Sequence, residues 1–206
     1  MEIKFFGHFC FRIKGKDIVL VTNPFPSSLG FKLPTLPADV VIASDKKDQV
    51  KLDLVNKAVN RQEPFFIDSP GEYEVGGSFV LGIQAGKNIL YMITMDGLRL
   101  AFLNGLTEIL SEKQLEELDG VDILFLAVGE KGGLLPKLAT EIINQIEPKI
   151  IIPMAYKIPQ LNLDLAPLGD SLKQMGIEQT NPQEKLIISK DKLPLEKEVV
   201  VLNARS

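Results

Sequence analysis

Short apolar or alternating runs, separated by turn residues, make up the first half of the chain. Residues 2–7, 9–14 and 17–23 are rich in Phe, Ile and Val, and Gly15 predicts a hairpin turn between the second and third runs. Residues 23–37 contain four prolines and predict a loop, because proline is excluded from central strands and helix interiors. The pattern therefore predicts β-hairpins at the start of the fold.

Three further patterns lie between residues 38 and 105. Residues 38–44 form a continuous apolar run of strand length, which predicts burial on both faces. Residues 50–60 carry apolar positions near helical spacing and predict a short amphipathic helix. Residues 88–105 predict a hairpin closed by Asp96 and Gly97, a preferred pair for a tight two-residue turn.

The period of the apolar positions changes after residue 105, where predicted helices alternate with buried strands. Ser111 and Gln114 form a capping-box pattern that starts a helix near Glu112. Pro136 opens a second helix, which ends before Pro148. Strands are predicted at residues 121–128, 149–154, 185–189 and 197–203, and a further helix at 165–175. We therefore predict one mixed domain over residues 1–206, of the α/β (α+β) class, with hairpins first and βα units later.

The composition of the chain indicates which kinds of partner and which cellular compartment to expect. The net charge is −4 and the isoelectric point is about 5.2, with lysines and acidic residues interspersed, so no basic surface for nucleic acid is expected. No apolar run approaches the ~18 residues of a membrane span. A single cysteine cannot form an internal disulfide, which suits a reducing compartment. We therefore predict a cytoplasmic protein without a nucleic-acid or membrane partner.

Candidate metal ligands are scarce, because the chain has one histidine, His8, and one cysteine, Cys10. A catalytic zinc ion usually has three protein ligands and an open position, and its ligands are mostly His, Cys, Asp and Glu. A metal centre built from histidines is therefore not expected. Cys10 lies between two phenylalanines in a predicted strand, which favours a buried structural thiol.

Four sequence strings resemble one family of hydrolases. They are GHFCFRIKGKDIVLVTNPF (residues 7–25), PGEYEVGGSFVLGI (70–83), MDGLRLAFLNGL (95–106) and EPKIIIPMAYK (147–157). They resemble the small cytoplasmic branch of the metallo-β-lactamase-fold hydrolases that includes the ascorbate-phosphate-lactonase-like proteins, over about residues 2–202. The resemblance implies a four-layer αβ/βα sandwich, with two mixed sheets inside and helices outside. A shared fold does not by itself transfer the activity.

The main metal-binding motif of that family is replaced in this chain. The family's His-x-His-x-Asp-His stretch corresponds to residues 45–50, which contain no histidine. Asp45 and Asp48 are the acidic residues of this stretch, and Lys47 lies between them. A lysine beside the site would repel a divalent cation.

Three other family motifs are also changed. In the hairpin arm that resembles His-Leu-Gly-Asp, Phe102 replaces the histidine and Gly105 replaces the aspartate that can bridge two metals. Ala155 replaces the histidine of Pro-Met-His-Tyr, and Asn23 replaces the aspartate of Thr-Asp-Pro-Phe. Without a metal ion, no bound water is activated near neutral pH. We therefore expect a metal-free, non-hydrolytic member of the family.

These comparisons lead to one favoured hypothesis and two alternatives. We predict no catalytic residue, no metal ligand and no cofactor, and favour a binding or interaction protein for an unknown small molecule or protein. One alternative is a metal-dependent hydrolase of a phosphate ester or lactone that uses residual carboxylates, and the other is a metal-independent enzyme that uses His8 or Cys10. The former metal cleft is predicted to bring together His8, Asn23, Asp45, Lys47, Asp48, Asn104 and Tyr156.

Overall fold

Two mixed β-sheets form the framework of the protein. The computed structural model describes residues 1–44, 51–55, 58–128, 134–177 and 180–205. In the first sheet the strands are β1 (Glu2–Phe5), β2 (Phe11–Lys14), β3 (Val19–Thr22), β4 (Val40–Ile42), β5 (Phe65–Ile67) and β12 (Leu186–Ile187). In the second they are β6 (Gly71–Val75), β7 (Ser78–Ala85), β8 (Asn88–Met95), β9 (Leu98–Leu103), β10 (Ile123–Ala127), β11 (Ile150–Met154) and β13 (Glu198–Val199). The described α-helices are α1 (Glu112–Glu117), α2 (Pro136–Ile146) and α3 (Leu168–Gln174).

Each sheet changes from antiparallel to parallel pairing along its width. The strand order is β12-β1-β2-β3-β4-β5 in the first sheet and β13-β11-β10-β9-β8-β7-β6 in the second. Strands β3, β4 and β5 are parallel, as are β9, β10, β11 and β13, whereas the hairpin strands are antiparallel. Every residue of β3, β4, β10 and β11 is buried, as parallel strands require. The predicted α/β sandwich is therefore confirmed.

Aromatic side chains join the two sheets in a common core. The Phe11 ring of β2 stacks on Phe5 with centroids 4.7 Å apart and meets Phe125 of the other sheet at 4.8 Å. Phe102 lies 5.5 Å from Phe125 and 6.0 Å from Phe11. All four rings are at most 1% exposed, so this cluster is part of the dry interior. Aromatic pairs of this kind add about 0.5–1.5 kcal/mol each beyond the area that they bury.

A second cross-sheet contact is polar and lies at the ends of strands. The hydroxyl of Tyr91, on β8, lies 2.8 Å from the carbonyl oxygen of Ala43 and 3.2 Å from that of Ile67. Ala43 follows β4 and Ile67 is the last residue of β5, so one buried phenol of the second sheet contacts the ends of two strands of the first. Burial raises the pKa of Tyr91, and the phenol stays protonated.

Asp39 fixes the connection between β4 and β5. Its carboxylate is fully buried and accepts hydrogen bonds from the backbone N–H groups of Val19, Val59 and Asn60 and from the Asn60 side chain. Burial alone would raise the pKa of Asp39, but these donors together hold it below its ordinary value. The carboxylate is therefore charged at neutral pH and binds three chain segments together.

The same carboxylate explains why one predicted helix is wrong. Residues 50–60 were expected to form an amphipathic helix, but the described part contains a short 3-10 helix at Leu52–Val55 and no helix at residues 58–60. The N–H groups of Val59 and Asn60 donate to Asp39. They are therefore not available for the i−4 hydrogen bonds of an α-helix.

Three other local predictions are confirmed, whereas the strands predicted at residues 185–189 and 197–203 are limited to Leu186–Ile187 and Glu198–Val199. Ser111 caps α1, accepting from the Gln114 N–H while the Gln114 side chain accepts from the Ser111 N–H. Pro136 is the first residue of α2. Asp96 and Gly97 have φ values of 53° and 76°, which are the two positive values that a type I′ hairpin turn requires.

None of the described helices is long and apolar enough to cross a membrane.

Candidate functional site

Polar residues gather where the parallel strands of both sheets end. Asn23 follows β3, Ser44 lies two residues beyond β4, and Asn104 follows β9. In sheets with parallel strands, ligands bind beyond the carboxyl ends of the strands. We therefore define the candidate site, called the cleft below, as Asn23, Ser44, Asn104 and the residues that contact the ends of these strands.

Hydrogen bonds connect the three polar residues across the two sheets. The Ser44 N–H donates to Asn23 Oδ1 at 2.9 Å, and the Ser44 hydroxyl donates to Asn104 Oδ1 in a short contact. All three residues are at most 9% exposed. Both amide oxygens are therefore occupied by Ser44, and the network carries no charge.

His8 lies in the turn between β1 and β2, which the Thr22 hydroxyl joins to the end of β3 through the Phe9 carbonyl oxygen. The His8 carbonyl oxygen accepts from the N–H of Ala155, the residue that follows β11, at 3.0 Å. Its ring centroid lies 4.1 Å from that of Phe9 and 6.3 Å from that of Phe25. Burial lowers the pKa of His8 to about 4, so the imidazole is neutral at pH 7. Its Nδ1 atom is buried and has no hydrogen-bond partner.

Backbone strain is concentrated in the same place. His8, Asn23 and Ala155 have φ values of 51°, 38° and 57°, in the left-handed region that residues other than glycine rarely adopt. This conformation costs roughly 1–2 kcal/mol for most residues and less for asparagine. Strained residues of this kind cluster at functional sites. Three of them at the ends of β3 and β11 and in the adjoining turn support a functional role for the cleft.

A family model for the β-lactamase superfamily domain matches residues 2–155, three quarters of the chain. A crystal structure from Thermotoga maritima, of a candidate zinc-dependent hydrolase of the metallo-β-lactamase superfamily, is 32% identical with a TM-score of 0.82, over 98% of both chains. The chain belongs to the metallo-β-lactamase superfamily.

Two more distant members of known structure share the fold of this superfamily protein. A metallo hydrolase from Ignicoccus hospitalis is 14% identical with a TM-score of 0.65, covering 91% of this chain and 99% of its own. An isothiocyanate hydrolase from Delia radicum gut bacteria is 11% identical with a TM-score of 0.62, covering 92% of this chain and 99% of its own. These similarities establish the fold alone.

The structure places some of the predicted site residues of this superfamily member at the cleft and directs another away from it. The structure brings Asn23 and Asn104 into one network and places His8 in the turn that the Thr22 hydroxyl joins to the end of β3. Tyr156 is directed elsewhere: its hydroxyl donates to the Leu202 carbonyl oxygen at 3.1 Å, and its ring packs 5.7 Å from Phe5. Asp45, Lys47 and Asp48 lie outside the described residues.

Ser44 completes the network but is not among the residues predicted above for the cleft. Its signal is its place as the last residue of the apolar run 38–44, just beyond the end of β4. Its contact with Asn23 lies within the first sheet, whereas its contact with Asn104 depends on how the two sheets pack.

The described part of the cleft does not fit a catalytic zinc ion. Such an ion takes nitrogen, sulfur or carboxylate ligands, usually three from the protein. Within the described residues no three His, Cys, Asp or Glu side chains come close enough to share a metal. The amide oxygens of Asn23 and Asn104 are neutral and already accept hydrogen bonds from Ser44.

Phe102 and Cys10 also contribute nothing to the cleft surface. The resemblance predicts that Phe102 stands at a ligand position of the family, but its ring is fully buried in the aromatic core. Cys10 is fully buried, and burial raises the pKa of its thiol, as expected for the predicted structural cysteine.

The resemblance predicts that Gly105 stands at the position of the family's bridging aspartate, and a side chain there would displace Asn88. Its φ is +67°, and a Cβ atom there would lie 2.5 Å from Nδ2 of Asn88, which donates to the Gly105 carbonyl oxygen. Gly86 has a similar φ of +59° but open space around it. We expect Gly105→Asp to lower the free energy of unfolding by about 1–3 kcal/mol more than Gly86→Asp, because only the former displaces Asn88. Urea unfolding measures both, and equal losses would contradict this explanation.

Proposed function

We propose that this superfamily member binds a ligand in its cleft through neutral hydrogen-bonding groups and does not catalyse metal-dependent hydrolysis. One observation carries the proposal: the uncharged network of Asn23, Ser44 and Asn104 occupies the strand ends of both sheets. Buried polar groups at such a position fix the orientation of a bound molecule.

The chemistry of the described donors supports the non-hydrolytic part of the proposal. Activation of water near neutral pH in this kind of site needs a metal ion with suitable ligands. An amide oxygen that accepts a hydrogen bond is a poor substitute for an anionic or imidazole ligand. Ala155 adds only a methyl group at the end of β11.

An alternative of a different class is a metal-dependent hydrolase acting on a phosphate ester or lactone. The description of the T. maritima protein as a candidate zinc-dependent hydrolase favours it. In this chain it would depend on Asp45 and Asp48. Carboxylate oxygens suit Mg²⁺ or Mn²⁺ better than neutral amides do.

The second alternative is a metal-independent enzyme that uses His8 or Cys10, and these two residues differ in accessibility. The thiol of Cys10 is fully buried and held in its protonated form, so it is out of reach of a substrate. His8 is neutral and could accept a proton, but its Nδ1 atom has no partner to orient the ring, as a general base requires.

The metal content of the purified protein tests the proposal. After purification without chelators and gel filtration, we expect well under one equivalent of zinc, manganese or iron by mass spectrometry. A zinc-loaded hydrolase of the same superfamily, carried through the same steps, controls for loss during preparation. One or more equivalents of a metal that the Asp48→Asn variant fails to retain would overturn the proposal in favour of the carboxylate hydrolase.

The same proposal covers the cellular compartment, the number of domains and the kind of partner. The lone cysteine and mixed surface charge favour a cytoplasmic protein that binds neither nucleic acid nor membranes. We treat residues 1–206 as one domain, and its ligand as a small molecule or a protein segment that reaches the cleft.

A further inference from the structure

We propose that His8 and Asn23 form a subsite for a neutral ligand group that both accepts and donates hydrogen bonds, namely a hydroxyl or a carboxamide. The inference rests on the proposed binding function and names the chemistry of its ligand. By the family resemblance, Asn23 replaces an acidic residue and His8 lies outside the metal-binding motifs.

One buried hydrogen bond brings the two residues together. The Thr22 hydroxyl donates to the Phe9 carbonyl oxygen at 2.6 Å and accepts from the Phe11 N–H at 2.9 Å. This contact fastens the end of β3 to the turn between β1 and β2. His8 precedes Phe9 and Asn23 follows Thr22, so the two residues flank the same hydrogen bond.

Both residues present a polar atom that the protein leaves without a partner. Asn23 is 9% exposed, and neither its Nδ2 nor the Nδ1 of His8 has a hydrogen-bond partner. Native proteins leave few buried polar atoms unpaired, because each costs about 1–3 kcal/mol. Two such atoms, in residues that flank one hydrogen bond and both have a positive φ, are the observation from which we infer a ligand position.

The orientation of the Asn23 amide is fixed by its other contact. Its Oδ1 accepts from the Ser44 N–H at 2.9 Å, and turning the amide around would place two N–H groups against that donor. The Nδ2 group is therefore a donor without a partner, and a ligand atom that meets it must be an acceptor.

The character of the neighbouring groups selects a neutral ligand. His8 is neutral at pH 7, and Asn23, Ser44 and Asn104 carry no charge. An ion buried against these groups would lose its hydration without a compensating charge. The neutral imidazole offers either a donor or an acceptor at Nδ1, depending on its tautomer. A hydroxyl or a carboxamide can complement both Asn23 and His8, whichever tautomer is present.

An NMR titration of the full-length protein labelled with ¹⁵N tests the subsite. Acetamide is the carboxamide probe and erythritol is the hydroxyl probe, while acetate and phosphate test anions of comparable size. We expect the Asn23 side-chain amide and the His8 ring signals to shift with saturation for at least one neutral probe. The Asn60 side-chain amide, which is held by Asp39, serves as the internal reference.

Two variants and one control make the assignment specific. Asn23→Asp keeps the oxygen that accepts from Ser44 but removes the unpartnered donor, and we expect it to weaken probe binding roughly tenfold. Asn144→Asp makes the same chemical change on the exposed face of α2 and should leave binding unchanged. His8→Phe keeps an aromatic ring against Phe9 and removes the second polar atom, with a similar loss expected.

Four outcomes would overturn the inference: no saturable shift with either neutral probe, shifts with the anions alone, equal binding by Asn23→Asp and the parent protein, or an ordered water as the sole partner of both atoms. The result is separable from that of the metal measurement. A metal-free protein that ignores both neutral probes would refute the subsite and leave the proposed function standing. A protein with stoichiometric metal would refute the proposed function itself.

Discussion

Replacing Phe102 with histidine is expected to lower the free energy of unfolding by about 3–5 kcal/mol and to confer no metal binding. The ring of Phe102 is fully buried between Phe11 and Phe125. The substitution removes packed apolar volume and buries an imidazole among rings that offer it no conventional hydrogen-bond partner. Urea unfolding measures the loss, and zinc retained after dialysis measures metal binding.

The conservative change Phe102→Leu is the control for this experiment. It removes ring contacts but buries no polar atom, so its cost is expected to be smaller than that of histidine. A Phe102→His protein that unfolds at the parent's urea concentration and retains a stoichiometric zinc ion would refute this account. In that case position 102 would face the cleft and the alignment with the family's histidine would carry its function.

The variant Asp39→Ala is expected to lose about 3 kcal/mol or more of the free energy of unfolding at pH 7. It leaves the buried N–H groups of Val19, Val59 and Asn60 without their acceptor. The exposed Asp119 provides the matched control, because Asp119→Ala removes a carboxylate from the surface turn after α1 and should change stability by less than ~0.5 kcal/mol. Similar losses for the two variants, measured by urea unfolding, would contradict the assigned role of Asp39.

The contribution of Asp39 also depends on pH, with a defined sign. Its pKa is lower in the folded protein than in the unfolded chain, where it is about 3.9. The charged carboxylate therefore contributes its full stability above about pH 4, and the contribution is lost as the pH falls through the folded-state pKa. Stability curves of the parent and Asp39→Asn proteins should run parallel above pH 5 and converge in more acidic solution. Curves that diverge towards low pH would contradict a lowered pKa.

Features that depend on neighbouring residues could be predicted from the sequence. The turn at Asp96 and Gly97 and the cap formed by Ser111 and Gln114 each need only a few consecutive residues, and both occur as predicted. The continuous apolar run at residues 38–44 likewise predicted a strand buried on both faces. Together with the order of hairpins and βα units, these signals predicted one mixed α/β domain, whereas the two-sheet sandwich was predicted from the family resemblance.

Features that depend on distant contacts could not be predicted. The helical spacing at residues 50–60 is real, but Asp39 takes the N–H groups that a helix would use. Strand β9 is buried on both faces along most of its length, so its pattern does not tell which face carries Phe102. The contacts of Ser44 join residues 21 and 60 positions apart: the one with Asn23 needs the pairing of β3 with β4, and the one with Asn104 needs the packing of the two sheets.

The pairing of β1 with β12 has a consequence for the synthesis of the protein. Glu2 lies opposite Ile187 and Ile3 opposite Leu186, so the partner of the first strand is translated near the end of the chain. At a synthesis rate of roughly 5–20 residues per second, that edge of β1 stays unpaired for about 10–40 s during translation. An unpaired edge invites pairing with other chains. Glu2 and Lys4, which alternate with the buried residues of β1, supply the charges that discourage such pairing during this interval.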